Sequence, residues 1–173
     1  MTMRARKRRA LDWGVKYFLT AMAWLVPLSV LGVVLSWPQL PFNAFTAQLE
    51  NVYGFLGLFG VVSSAIIGML YKIIPFLVWF GTYSQHIGRA KVPALAEMYS
   101  PRLQAAGYWT FQAGLIATAI AILTANANGT RAGSALLAFS LATLALNVGS
   151  ILLHGLRPRL IPLSEVPSNK TTL

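Results

Sequence analysis

The sequence predicts an all-α integral membrane protein of four transmembrane helices, with the N and C termini both cytoplasmic. Three observations predict it. The 173 residues are 56% hydrophobic and only 10% charged, whereas a soluble domain is about 25% charged, so most of this surface must face lipid or other protein. The apolar residues gather into four runs, each long enough to cross a hydrocarbon core of roughly 30 Å. The basic residues gather between those runs and fall almost entirely on one side once the chain is threaded through a bilayer.

The four elements follow in order. Residues 1–16 form a basic N-terminus, with Arg4, Arg6, Lys7, Arg8, Arg9 and Lys16 against the single acid Asp12. The apolar run 17–37 follows; it is too long for a signal-peptide core, and no small-residue cleavage motif succeeds it, so it reads as a first membrane helix. Pro27 lies inside it, and Trp13 and Trp37 bracket it as interfacial anchors. The segment 38–52 lacks Lys and Arg and reads as an external loop. The second span, 54–80, is apolar over 27 residues, about 40 Å as a helix, and so exceeds the bilayer core. The loop 81–107 carries Arg89, Lys91 and Arg102, with a short interfacial helix expected over 93–98. Ser100 and Pro101 read as N-cap and first helical residue of the third helix, which spans about 108–125. The turn Asn126–Thr130 leads to the fourth span, about 134–156. A polar cytoplasmic tail, 157–173, is expected to be loosely ordered.

Orientation comes from the placement of the 14 basic residues. Six lie in 1–16, three in 81–107 and three in 157–173; Arg131 alone falls on the other side, and Lys72 falls within a span. Cytoplasmic loops are enriched in Lys and Arg, so both ends are placed inside.

Composition also removes whole classes of function. The net charge of +10 suggests nucleic acid, yet the basic residues flank apolar spans and form no continuous face with interleaved aromatics, so nucleic acid is rejected as a partner. With no cysteine there is no disulfide, thiolate metal site or iron–sulfur cluster. The four acids, Asp12, Glu50, Glu97 and Glu165, lie outside the spans, which argues against a proton-driven exporter. No carboxylate pair, Ser–His–Asp set or phosphate loop is present, and no catalytic residue is assigned.

Three groups of residues remain as candidates. On the second helix, Gly60, Ser64 and Gly68 are spaced by four and form a ridge that admits another helix closely. Lys72 follows as the only charge inside a span, one turn before Pro75, which removes a backbone bond and frees the carbonyl of Tyr71. No span offers Lys72 a carboxylate, so its counter-charge is expected from outside the chain. On the fourth helix, Ser140, Thr143, Asn147, Ser150 and His154 share one face and turn inward, as packing contacts in preference to a substrate path; Gln112 is a candidate partner. His86 and His154 lie near the cytoplasmic ends of the second and fourth helices, where a pair at one depth could ligate haem b or a metal; the alternative is that both are merely interfacial.

The stretch 68–80, GMLYKIIPFLVWF, continued by 88–93 (GRAKVP) and 97–101 (EMYSP), resembles uncharacterised bacterial multi-pass membrane proteins. These are distantly similar to haem–copper oxidase subunit I and to NnrS-type proteins. The resemblance covers roughly residues 50–105 and implies a bacterial inner-membrane location and kinship with respiratory chemistry. Oxidases of that group use about six histidine ligands, whereas this chain has two, so the resemblance implies a relative without the redox centre. The reading that follows is a non-catalytic membrane subunit or assembly partner of a respiratory or electron-transfer complex, with membrane lipids and other integral subunits as partners and no cofactor of its own. The alternatives are a small b-type haem or quinone-handling protein using His86 and His154, and a small channel or transporter.

Overall fold

The structure, a computed structural model, describes residues 12–87, 90–92, 94–156 and 161–162. The basic cluster Arg4–Arg9, Arg89, most of the tail 157–173 and the His154 side chain lie outside what is described. Four helices long and apolar enough to cross a membrane make up the fold: α1 (Trp13–Leu35), α2 (Ala44–His86), α3 (Pro101–Leu123) and α4 (Ala127–Leu156). Beside them stands one two-residue antiparallel ladder, β1 (Ala90–Lys91) on β2 (Ile161–Pro162). That ladder ties the start of the tail, expected to be loose, to the α2–α3 connection.

Successive helices run antiparallel. Gly14 meets Gly68 and Gly32 meets the Tyr53 ring, which fixes α1 against α2; Gly107 meets Thr143 and Gly114 meets Gly133, which fixes α3 against α4. The main core lies where the four helices converge, around Tyr17, Ile67, Tyr71, Phe111, Leu115 and Leu137. A smaller cluster, Tyr83, Met98 and Ile151, closes the end where α2 and α4 finish, and the connection before α3 folds back onto it through Val92 and Tyr99. The interfacial helix expected over 93–98 is instead a single 3₁₀ turn, Leu95–Glu97. Its Glu97 carboxylate accepts a hydrogen bond from the Ala94 backbone N–H at 3.2 Å.

Helix α2 departs most from expectation. It begins at Ala44, within the segment read as a loop, because Asn43 and Thr46 form a reciprocal cap: the Asn43 side chain accepts from the Thr46 N–H at 3.0 Å, and the Thr46 hydroxyl oxygen accepts from the Asn43 N–H at 3.2 Å. Its 43 residues measure about 64 Å at 1.5 Å per residue, far beyond the bilayer core. The extension is anchored by Thr46 and Val52, both buried. From Leu56 to Ser63 the helix widens into a π-helical segment. Ser63 and Ser64 follow the same five-residue offset, their hydroxyls donating to Leu58 O at 2.9 Å and Phe59 O at 3.2 Å. Glycines at 57 and 60 reduce the propensity for a regular α turn and seat Leu28 and Trp24 of α1.

Helix α3 starts as its sequence specifies: Pro101 is the first residue, and the Ser100 hydroxyl accepts from Leu103 N–H at 3.5 Å. Helix α4 starts seven residues before the expected span, since Asn126 accepts from Gly129 N–H at 3.0 Å and caps it immediately after α3. Ala125 takes the left-handed turn between them, at φ 50°.

A buried polar constellation as candidate functional site

At the end of the bundle where α1 and α3 begin, polar side chains from all four helices meet inside the core. The α4 stripe supplies one wall. Ser140 donates to Gly107 O at 2.7 Å, and Asn147, fully buried, accepts from Ser100 N–H at 3.1 Å and donates to Ser100 O at 3.4 Å. Thr143 and Ser150 donate to carbonyls of their own helix, Ser140 O and Asn147 O, both at 2.7 Å. The stripe therefore docks on the backbone at the start of α3, and not on the candidate partner Gln112. Gln112 instead accepts from the Trp24 indole N–H at 3.1 Å and joins α3 to α1.

Opposite the stripe stand Tyr17 of α1 and Tyr71 of α2, their rings 5.8 Å apart. Tyr17 lies beside Ser140 and packs edge-on to Tyr108 at 5.1 Å; Tyr108 in turn shares a 2.7 Å hydrogen bond with Thr20. The Tyr71 phenol lies beside Asn147 without hydrogen-bond geometry to it. Gln104 completes the set: it sits one turn beyond Ser100 and one turn before Gly107, on the buried face of α3, with 1% of its surface exposed. Neither Gln104 amide atom has a partner among the described residues, nor does the Tyr71 hydroxyl. Sequence reasoning missed Gln104, although the spacing of Ser100, Gln104, Gly107 and Phe111 on one helical face carried the signal.

The small-residue ridge finds its partner within the chain. A Cβ built on Gly68 would come 2.7 Å from Gly14 O, and one on Gly60 would come 3.3 Å from the Trp24 ring; Ser64 is fully buried between them. The ridge thus packs on α1, which two apolar runs adjacent in sequence and joined by a short connection make accessible.

Lys72 requires a correction. Its counter-charge was expected from outside the chain, but its ammonium lies 3.9 Å from the Asp12 carboxylate. Helix α1 begins at Trp13, earlier than the apolar run suggested, which brings Asp12 to the depth of Lys72. The lysine stem passes Gly14, whose added Cβ would touch its Cγ at 3.4 Å. Lysine thus reaches towards the helix start of α1, against the tilt of its own Cα–Cβ bond towards the start of α2. Beside the pair an open recess of about 260 Å³ is lined by Val15, Phe18 and Met69. A wider recess of about 710 Å³ lies at the other end of α1, between Leu28, Trp37 and Tyr53. Tyr99, near the same carboxylate, has its phenol held above the ordinary value, first by burial and then by Asp12.

His86 lies in the 3₁₀ turn ending α2, its Nδ1 buried without a partner among the described residues. The helices bearing the two histidines touch one to two turns before His86, where a Cβ on Gly155 would meet Val78 at 3.2 Å and Thr82 at 3.6 Å. Among the described residues no group of three or more His, Asp or Glu is placed to hold a metal ion. Comparison with protein-family models, with curated proteins and with solved structures gave no match.

Proposed function

We propose that this chain is a non-catalytic integral membrane subunit, or an assembly and stabilising partner, of a larger respiratory or electron-transfer complex in a bacterial inner membrane, with both termini cytoplasmic. The observation that carries it is the contrast between interior and surface. Polar side chains within the spans join helix to helix, while α1 turns outward a continuous apolar face with Leu19, Val26, Val30 and Val33 all more than half exposed. Only 6% of its most apolar window is buried. A bilayer covers such a face, and so does a neighbouring subunit. The Gly60–Gly68 ridge and Lys72 no longer support the reading, because both find partners inside the chain. The respiratory assignment rests on the resemblance over residues 68–80, and the orientation rests on the distribution of Lys and Arg.

Purification of the tagged chain from its native membrane in mild detergent tests the reading. Other integral subunits should co-purify in fixed ratio; a chain that elutes alone and monomeric overturns it. Reporter fusions after Leu173 and within 124–127 should report inside and outside respectively. A second reading, a b-type haem protein, is favoured by one observation: the Nδ1 of His86, without a partner among the described residues, lies on a helix that touches the one carrying His154. That reading requires a Soret band in the purified chain that is lost in both His86→Ala and His154→Ala.

A further inference from the structure

We propose that the Asp12–Lys72 pair and the recess beside it form a site for one zwitterionic phospholipid with a primary ammonium, of the phosphatidylethanolamine type. Lys72 receives the phosphate, Asp12 receives the ammonium, and the recess takes the start of an acyl chain. Depth is the first observation. Helix α1 has 23 residues, about 34 Å at 1.5 Å per residue, close to the thickness of the hydrocarbon core. Asp12 precedes its first residue, Trp13, a side chain suited to the membrane interface, so the pair stands where headgroups meet acyl chains. The pair is also open: Lys72 is 55% and Asp12 43% exposed, and their 3.9 Å contact is longer than a hydrogen bond. Met69 and Phe76 flank Lys72 on α2 at helical spacing, and both are about half exposed. Lys72 is therefore a cation set in a lipid-facing apolar strip, and its exposed half needs polar company that hydrocarbon does not supply.

The recess gives that headgroup a place for its tail. It holds about 260 Å³ between Gly14, Val15 and Phe18 of α1 and Gly68, Met69 and Lys72 of α2. The two glycines meet there without side chains, a Cβ on Gly14 coming 2.9 Å from Gly68 O, and Val15, Phe18 and Met69 supply an apolar rim. The charge pattern then selects the headgroup. A purely anionic headgroup satisfies Lys72 but sets its negative charge beside Asp12, and like charges repel. A choline headgroup has no N–H to give the carboxylate. A primary ammonium donates to Asp12 while the phosphate oxygens accept from Lys72, and both contacts are of the strong, charge-assisted kind. In phosphoethanolamine the two charges are joined by two carbons, so they can lie side by side as those of the protein do.

Native mass spectrometry of the full chain in detergent, titrated with dioleoyl phosphatidylethanolamine, phosphatidylcholine or phosphatidylglycerol, tests the site. The wild-type chain should retain one phosphatidylethanolamine, with about tenfold tighter binding than either other lipid. Lys72→Met and Asp12→Asn should each abolish that preference; their melting curves without added lipid report that they are folded. Val15→Trp fills the recess while keeping both charges, and should also lose the bound lipid. Equal retention of the three lipids in the wild-type chain overturns the proposal, as does tighter retention of phosphatidylglycerol, which marks a site for anions alone. Undiminished preference for phosphatidylethanolamine in the two charge variants overturns it too, because the lipid then sits elsewhere. A dimer of the chain that carries no lipid would show that a second copy covers the recess, and would equally overturn it. Should the variants fail to fold, the order of the three lipids on the wild-type chain decides alone.

Discussion

The two helical hairpins of this bundle are held together by different physics. Between α3 and α4, Gly107, Gly114 and Gly133 bring the backbones together, and hydrogen bonds then cross the contact at Ser140–Gly107 and Asn147–Ser100. Between α1 and α2 the contact is one of shape: Gly14 on Gly68, Trp24 on Gly60, Tyr53 against Gly32. Burial follows the same division, with 39% of the most apolar window of α3 buried against 6% in α1. Lipid tails are as apolar as leucine, so burial alone does not drive helices together in a membrane; close packing and hydrogen bonds do. Each interhelical hydrogen bond contributes about 0.6–2 kcal/mol and also fixes register. The α3–α4 pair has both means of attachment, and the α1–α2 pair relies on close packing.

The comparison is broken most severely at Gly133. A Cβ there would collide with the Thr118 hydroxyl and come 2.8 Å from its backbone nitrogen. Gly133→Leu should therefore cost about 3 kcal/mol or more, beyond ordinary overpacking, because backbone cannot rotate away. Its melting temperature in detergent should fall sharply. Gly107→Ala sharpens the point, since its obstruction is the Thr143 hydroxyl alone at 2.5 Å. That variant should lose about 1–3 kcal/mol and recover much of it when combined with Thr143→Ala. A double variant no more stable than the single one would show that the contact is not the one described.

Gly68→Ile probes the other hairpin. The new Cβ would lie 2.7 Å from Gly14 O and 3.1 Å from Phe18 N, so α1 must move off α2, at about 1–3 kcal/mol. The isolated chain should melt earlier. If its melting is unchanged while co-purification of partners fails, the ridge faces another subunit and the steric account of α1–α2 is wrong.

What could be read in the sequence, and what could not, divides along the same line. Four spans, the Ser100–Pro101 helix start and the 3-and-4 spacing of Ser140, Thr143 and Asn147 are local signals, set by hydropathy, cap chemistry and helical period. The partner of the ridge is a pairing between distant residues, and no periodicity names it. The early start of α2 was missed because residues 44–53 are mixed in polarity and lie outside the apolar run, although Asn43 and Thr46 spell a cap. The π segment leaves no hydropathic trace at all. Gln104, near the start of α3, reads as interfacial by position, yet it is buried in the core.

The smallest effect is expected at Lys72, where charge alone would suggest the largest. Its ion pair with Asp12 is long, at 3.9 Å, and the two side chains are 55% and 43% exposed. Pairs of that kind contribute between nothing and about 1 kcal/mol, so Lys72→Met and Asp12→Asn should each shift melting slightly, and the double variant should be no worse than either alone. Tyr99 provides an independent readout. Its phenol titrates above the ordinary value of 10.0, chiefly through burial and secondarily through the Asp12 carboxylate. A raised folded value means that neutral Tyr99 favours the folded state below pH 10, and that this contribution is lost as pH climbs through the folded value. Asp12→Asn removes only the secondary cause, so the ultraviolet titration of Tyr99 should move to lower pH while burial still holds it above the ordinary value. A strong loss of stability in Lys72→Met that Asp12→Asn does not share would mean that the lysine leans on an acceptor other than Asp12, and the counter-charge would again have to come from outside the chain.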